Sequence, residues 1–80
     1  MTYGEAVKAA RLAHGYILRD LGERINVDFS SLSEIEHDKR STPPWLAHKI
    51  ELHLGVPVGI LVSQMIRKIE SKYGMEKEER

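Results

Sequence analysis

Between Ile25 and Phe29 the chain has room for three residues only, Asn26-Val27-Asp28, and no other feature constrains the fold as much. Asn tolerates the left-handed backbone that ends a helix, and Asp is a strong N-cap. This break therefore reads as a tight turn between two short helices, one from about Ile17 to Ile25 and one from Phe29 to about His37. Leu18, Leu21 and Ile25 give the first an apolar face. The second shows Leu32 and Ile35 as inward aliphatics and is otherwise polar. Gly22 falls where two such helices cross, and a large side chain there forces them apart. Val27 plugs the turn.

The flanking punctuation is helical as well. From Thr2 to His14 the chain is rich in Ala, Lys and Arg, with Thr2 as N-cap and Gly15 as the residue past the end. Val7, Ala10 and Arg11 share one face. Asp38 to Thr42 reads as a loop, with Thr42 capping a helix that Pro43 and Pro44 open and Gly55 stops. Leu46, Ile50 and Leu54 recur there every four residues. Pro57 opens a last helix, about 58–73, and Gly74 ends it. Its stripe is Val58, Val62, Met65, Ile69 and Tyr73, with Leu61 and Ile66 beside it. No window alternates long enough to argue a strand. The expectation is an all-α chain of five helices, one domain over 1–73 with a flexible tail at 74–80.

Composition removes several functions. The 12 Lys and Arg cancel the 12 Asp and Glu, so the body of the chain is no polybasic clamp. Cysteine is absent, which excludes disulfides, thiol nucleophiles and cysteine-held zinc. His48 and His53 are five apart, roughly 140° around a helix, and cannot share a metal. Ser30, Ser31 and Ser33 lack elbow glycines, and Glu34, Glu36 and Asp38 have no cleft, so no enzyme, metal or cofactor is expected. The near-uncharged stretch Leu54 to Ile66 is too short for a bilayer, and the first residues are no signal peptide. A cytoplasmic location is the expectation.

Two short helices on a three-residue turn form a helix-turn-helix, whose second helix docks DNA. With Leu32 and Ile35 inward, Phe29, Ser30, Ser33 and Glu34 face outward. Here the sequence resembles the lambda-repressor-like (Cro/repressor, Xre-type) helix-turn-helix domains. The resemblance rests on Gly4-Glu5, Val7-Lys8, Arg11, Gly15, Leu21, Glu23-Arg24, Val27, Ser30, Leu32-Ser33, Ile35-Glu36, Lys39-Arg40, Leu54-Gly55-Val56 and Leu61, in order over about 3–62. It implies five helices, dimers on pseudo-palindromic operators, and transcriptional regulation. Phe29, Ser30, Ser31, Ser33 and Glu34 would contact bases. The helix start Ile17-Leu18-Arg19, with Lys39 and Arg40, would contact phosphates. Arg11 and Glu36 match a structural ion pair of the family. The size resembles a phage or mobile-element repressor, or the DNA-binding half of an antitoxin.

The sequence departs from that pattern in a consistent direction. Leu18 stands where a polar phosphate clamp is common. Asn26 and Asp38 each replace a usual glycine. Residues 28–38 carry Asp28, Glu34, Glu36 and Asp38 and no Lys or Arg, a composition that phosphates repel. The expected salt dependence of DNA binding is therefore shallow. The alternative reading is a protein-binding adaptor or antitoxin-like partner, with Leu18 and Phe29 as its apolar contact. Trp45 reads as a plug against the last helix or as an interface residue. The surplus stripe Val62, Met65, Ile66, Ile69 and Tyr73 either folds back on the first helix or, the favoured reading, forms a homodimer seam.

Overall fold

The computed structural model describes residues 1–67. Its helices are α1 (Tyr3–Ala13), α2 (Leu18–Ile25), α3 (Phe29–Glu36) and α4 (Pro44–Leu54), followed by α5 over 58–67. The described residues form five helices and no strand. Ile69, Tyr73, the rest of the 58–73 helix and the 74–80 tail lie outside the described residues.

Local chemistry sets each helix end. The Thr2 hydroxyl accepts the Glu5 N–H at 3.1 Å, and the Glu5 carboxylate accepts the Thr2 N–H at 2.8 Å, a reciprocal cap on α1. Gly15, at φ 78°, lets α1 close with Tyr16 N–H on Arg11 O at 3.1 Å. Asn26 takes the left-handed conformation at φ 60°, and the Asp28 carboxylate then caps α3 on the Ser31 N–H at 3.0 Å. The turn is therefore built as its three residues demand. At α4 the cap lies one residue later than expected: Pro43, not Thr42, is the N-cap, and it makes no side-chain bond. Pro44 can open the helix because its missing N–H would have had no partner there.

Every helix contributes to one core. Val7 from α1, Leu21 and Ile25 from α2, Leu32 and Ile35 from α3, and Leu46, Ala47 and Ile50 from α4 are all buried. Val58, Ile60 and Leu61 of α5 pack on it from outside. Gln64 Oε1 accepts the Tyr3 N–H at 2.6 Å and ties α5 to the start of α1. So one side of α5 folds back on the body, while Val62, Met65 and Ile66 stay exposed. Trp45 is 57% exposed and plugs nothing; it lies beside Lys49, whose ammonium is 5.6 Å from its ring centre. Lys49 also donates to Ile25 O at 2.9 Å, placing a cation at the C-terminal end of α2.

Tyr3 is 2% exposed, and its hydroxyl has no hydrogen-bond partner among the described residues. Burial, with the Glu51 charge adding, pushes its ionisation up to about 12. A raised value means the neutral form is preferred in the fold. Its contribution is complete below the unfolded value near 10 and is lost as pH rises through about 12. Tyr3→Phe keeps the ring and removes the unpaired hydroxyl. The variant is expected to match or exceed the parent in thermal midpoint and to lose part of the alkaline destabilisation. A drop of several degrees at neutral pH would mean that the hydroxyl has a partner.

Candidate nucleic-acid interface

The α2–α3 pair is held by contacts that admit no slack. A Cβ on Gly22 would run into the carbonyl oxygen of Val27, so the turn can fold onto α2 only over glycine. Val27 is half-buried against the core, and its N–H bonds Gly22 O at 2.9 Å. Leu32 and Ile35 anchor α3 from beneath and are fully buried. Phe29, Ser30 and Glu34 are exposed on α3, while Ser31 and Ser33 are half-buried.

Each acid of 28–38 has a partner in the fold, although only Glu36 is buried. Glu36 is buried, and its carboxylate takes a bidentate grip from Arg11, with Nε at 2.7 Å and Nη2 at 3.1 Å. The third donor of Arg11, Nη1, reaches Tyr16 O at 2.8 Å. Asp38 sits at φ 58°, where glycine is usual, and its carboxylate accepts Thr2 Oγ1 at 2.6 Å and the Gly4 N–H at 3.1 Å. It thereby brings its charge to the positive end of α1. Asp28 caps α3 as described. The Ser31 N–H and hydroxyl hold its carboxyl below the usual range, against slight burial and with help from Arg40. Glu34 is exposed on α3, where it pairs with Arg40 at 3.0 Å. Two of the four acids are thus neutralised by arginine, while Asp28 and Asp38 keep exposed charges that sit at helix starts.

Basic residues border the same face. The Arg19 guanidinium lies 5.2 Å from the centre of the Phe29 ring, which steadies a half-exposed aromatic at the start of α3. Lys39 is exposed just beyond α3, and its N–H closes that helix on Glu34 O at 2.8 Å. Arg40 turns back toward α3 and donates to Ser31 Oγ at 3.0 Å. At the start of α2, the Ile17 N–H is engaged by Asp20 at 3.2 Å, so that amide is not offered to a ligand. Leu18 packs half-buried on the core, and Ile17 is the exposed residue, at 61%. The apolar contact expected at Leu18 and Phe29 therefore shifts to Ile17 and Phe29, because Leu18 faces inward. Among the described residues no group of His, Asp and Glu could hold a metal.

Three of these features escape a reading of the sequence: the Asp38 tie, the Arg40 return and the Asp20 brace. Of them only Asp20 left a signal, an acid in the first turn three residues after Ile17.

Two short helices locked at a glycine crossing, with a polar outward face on the second, define a helix-turn-helix DNA-binding module. The helix-turn-helix family model matches residues 7–61, and the chain belongs to that family, in its Cro-repressor (Xre) class. It is a DNA-binding class, typically non-catalytic. No curated protein and no solved structure matches the chain. No helix among the described residues is long and apolar enough to cross a membrane.

Proposed function

We propose that the chain is a sequence-specific transcriptional regulator, a homodimeric repressor that lays α3 in the major groove of operator DNA in the cytoplasm. One observation carries this reading: each acid of 28–38 has a partner, Glu36 in the core, Asp28 and Asp38 at helix starts and Glu34 on Arg40, so the outward face of α3 repels a polyanion less than its composition alone implies. Phe29 suits a thymine methyl and Ser30 and Ser33 suit either donors or acceptors, while Ser31 and Glu34 are engaged by Arg40. Arg19, Lys39 and the Leu18 and Arg19 amides take the phosphates. These contacts are few, so binding is expected to need two subunits and to weaken only gently with salt. Repression is the simplest output, because a bound dimer denies the duplex to other proteins.

The seam we propose is the outer stripe of α5. Val62, Met65 and Ile66 are 47%, 55% and 50% exposed, three apolar residues in reach of a second copy. Ile69 and Tyr73 would extend it. Met65→Glu is expected to give a monomer in sedimentation and to lower DNA affinity by at least tenfold. A dimer of unchanged strength would place the seam elsewhere.

A protein-binding adaptor or antitoxin-like partner is the second reading, favoured by the exposure of Ile17 and Phe29. Selection from a pool of random duplexes at low salt separates the two. Enrichment of a pseudo-palindrome supports the regulator. No enrichment by a folded dimer rejects it. A Phe29→Ala variant that loses a protein partner but keeps DNA would favour the adaptor.

A further inference from the structure

Arg40 does not extend away from the body as a residue beyond a helix end commonly does. Its Nε donates to Glu34 Oε1 at 3.0 Å and its Nη1 to Ser31 Oγ at 3.0 Å. Ser31 and Glu34 are three apart on α3, so the guanidinium lies across one turn of that helix. Ser31 in turn donates its hydroxyl to Asp28 at 2.9 Å, and the charge of Arg40 reaches Asp28 as well. The guanidinium therefore sits over the middle turn of α3, next to the N-terminal residues from which a recognition helix meets base edges.

We propose that Arg40 is a base-reading residue whose target is guanine, with Glu34 and Ser31 as the residues that position it. The inference rests on α3 entering the major groove. Two of the five guanidinium N–H groups are taken by Glu34 and Ser31. Three remain, enough for the paired contact to guanine O6 and N7. Glu34 thus acts through Arg40 rather than on a base of its own. The pair also limits non-specific affinity, because it offers phosphates no net positive charge, while at the cognate site the guanine completes the network. A lysine at this position would keep the charge and lose the planar fork.

The test uses the full chain and the duplex it enriches, with every single-base-pair variant of that duplex and a random duplex as probes. Arg40→Ala is expected to flatten the preference for one G·C pair by about tenfold to a hundredfold and leave the other positions unchanged. Arg40→Lys does not restore it. Glu34→Ala narrows discrimination at that same base pair and raises affinity for the random duplex. Thermal midpoints stay near the parent, because the pair is half-exposed. An equal loss on every duplex, with the salt slope falling by about one contact, would make Arg40 a phosphate ligand and overturn the inference. If the parent enriches no duplex at all, the DNA reading itself fails, and this inference with it.

Discussion

Arg11→Ala is expected to lower stability by about 3–5 kcal/mol, because it strands the Glu36 carboxylate in the core. The side chains of the pair are 9% and 2% exposed, so water cannot replace the lost partner. The Arg11 bond to Tyr16 O goes too, and with it the brace on the link between α1 and α2. A domain of 80 residues has on the order of 4–12 kcal/mol in total, so the variant loses a large share of its fold. Urea denaturation measures this directly. The double variant Arg11→Met, Glu36→Leu is expected to recover most of the loss, since apolar residues of similar volume need no partner. If Arg11→Ala kept its denaturation midpoint and lost only DNA affinity, the pair would belong to the interface instead of the core.

Gly4→Ala should damage the fold on a comparable scale. A Cβ at Gly4 would stand 2.6 Å from Glu36 O and 2.8 Å from an Asp38 carboxylate oxygen, and closer still to Ile35 O. Backbone carbonyls cannot rotate away as a side chain can. Either α1 backs off α3, or the C-terminal turn of α3 unwinds. Both outcomes break the Asp38 bonds to Thr2 and Gly4. The expected cost is about 3 kcal/mol or more, at the upper end for overpacking. Because α3 loses its register, DNA affinity falls with stability. An alanine variant with the parent's melting temperature would show that α1 and α3 are not in this contact.

Much of the fold was legible because its punctuation is local. Asn26, Asp28, Thr2, Gly15 and Gly55 each set their own backbone or cap their own helix, and such preferences act within a few residues. The α3 face was legible for the same reason, since Leu32 and Ile35 fix which side is buried. What stayed hidden depends on distant partners. Thr2 and Asp38 are 36 apart, and nothing in either residue names the other. Arg40 is a long side chain with many rotamers, and only the folded geometry decides that it turns toward Ser31. The acids were countable and the resemblance named the Arg11–Glu36 pair, but the Glu34–Arg40 pair was not legible, and the two pairs together halve the unpaired negative charge of 28–38. Of the two readings of Trp45, only the plug fails, and for a different reason. A large aromatic suggests a core, yet α4 already fills its inner face with Leu46, Ala47 and Ile50.

The central claim is that α3 is the surface that meets DNA. Amide chemical-shift mapping of the labelled protein, titrated with its enriched duplex at low salt, addresses it residue by residue. The account predicts that the largest shifts fall on residues 29–34, with a second group at 18–19 and 39–40, and that α4 around Trp45 and Leu52 stays still. Shifts gathered on α4, with 29–34 unmoved while the duplex is bound, would contradict it.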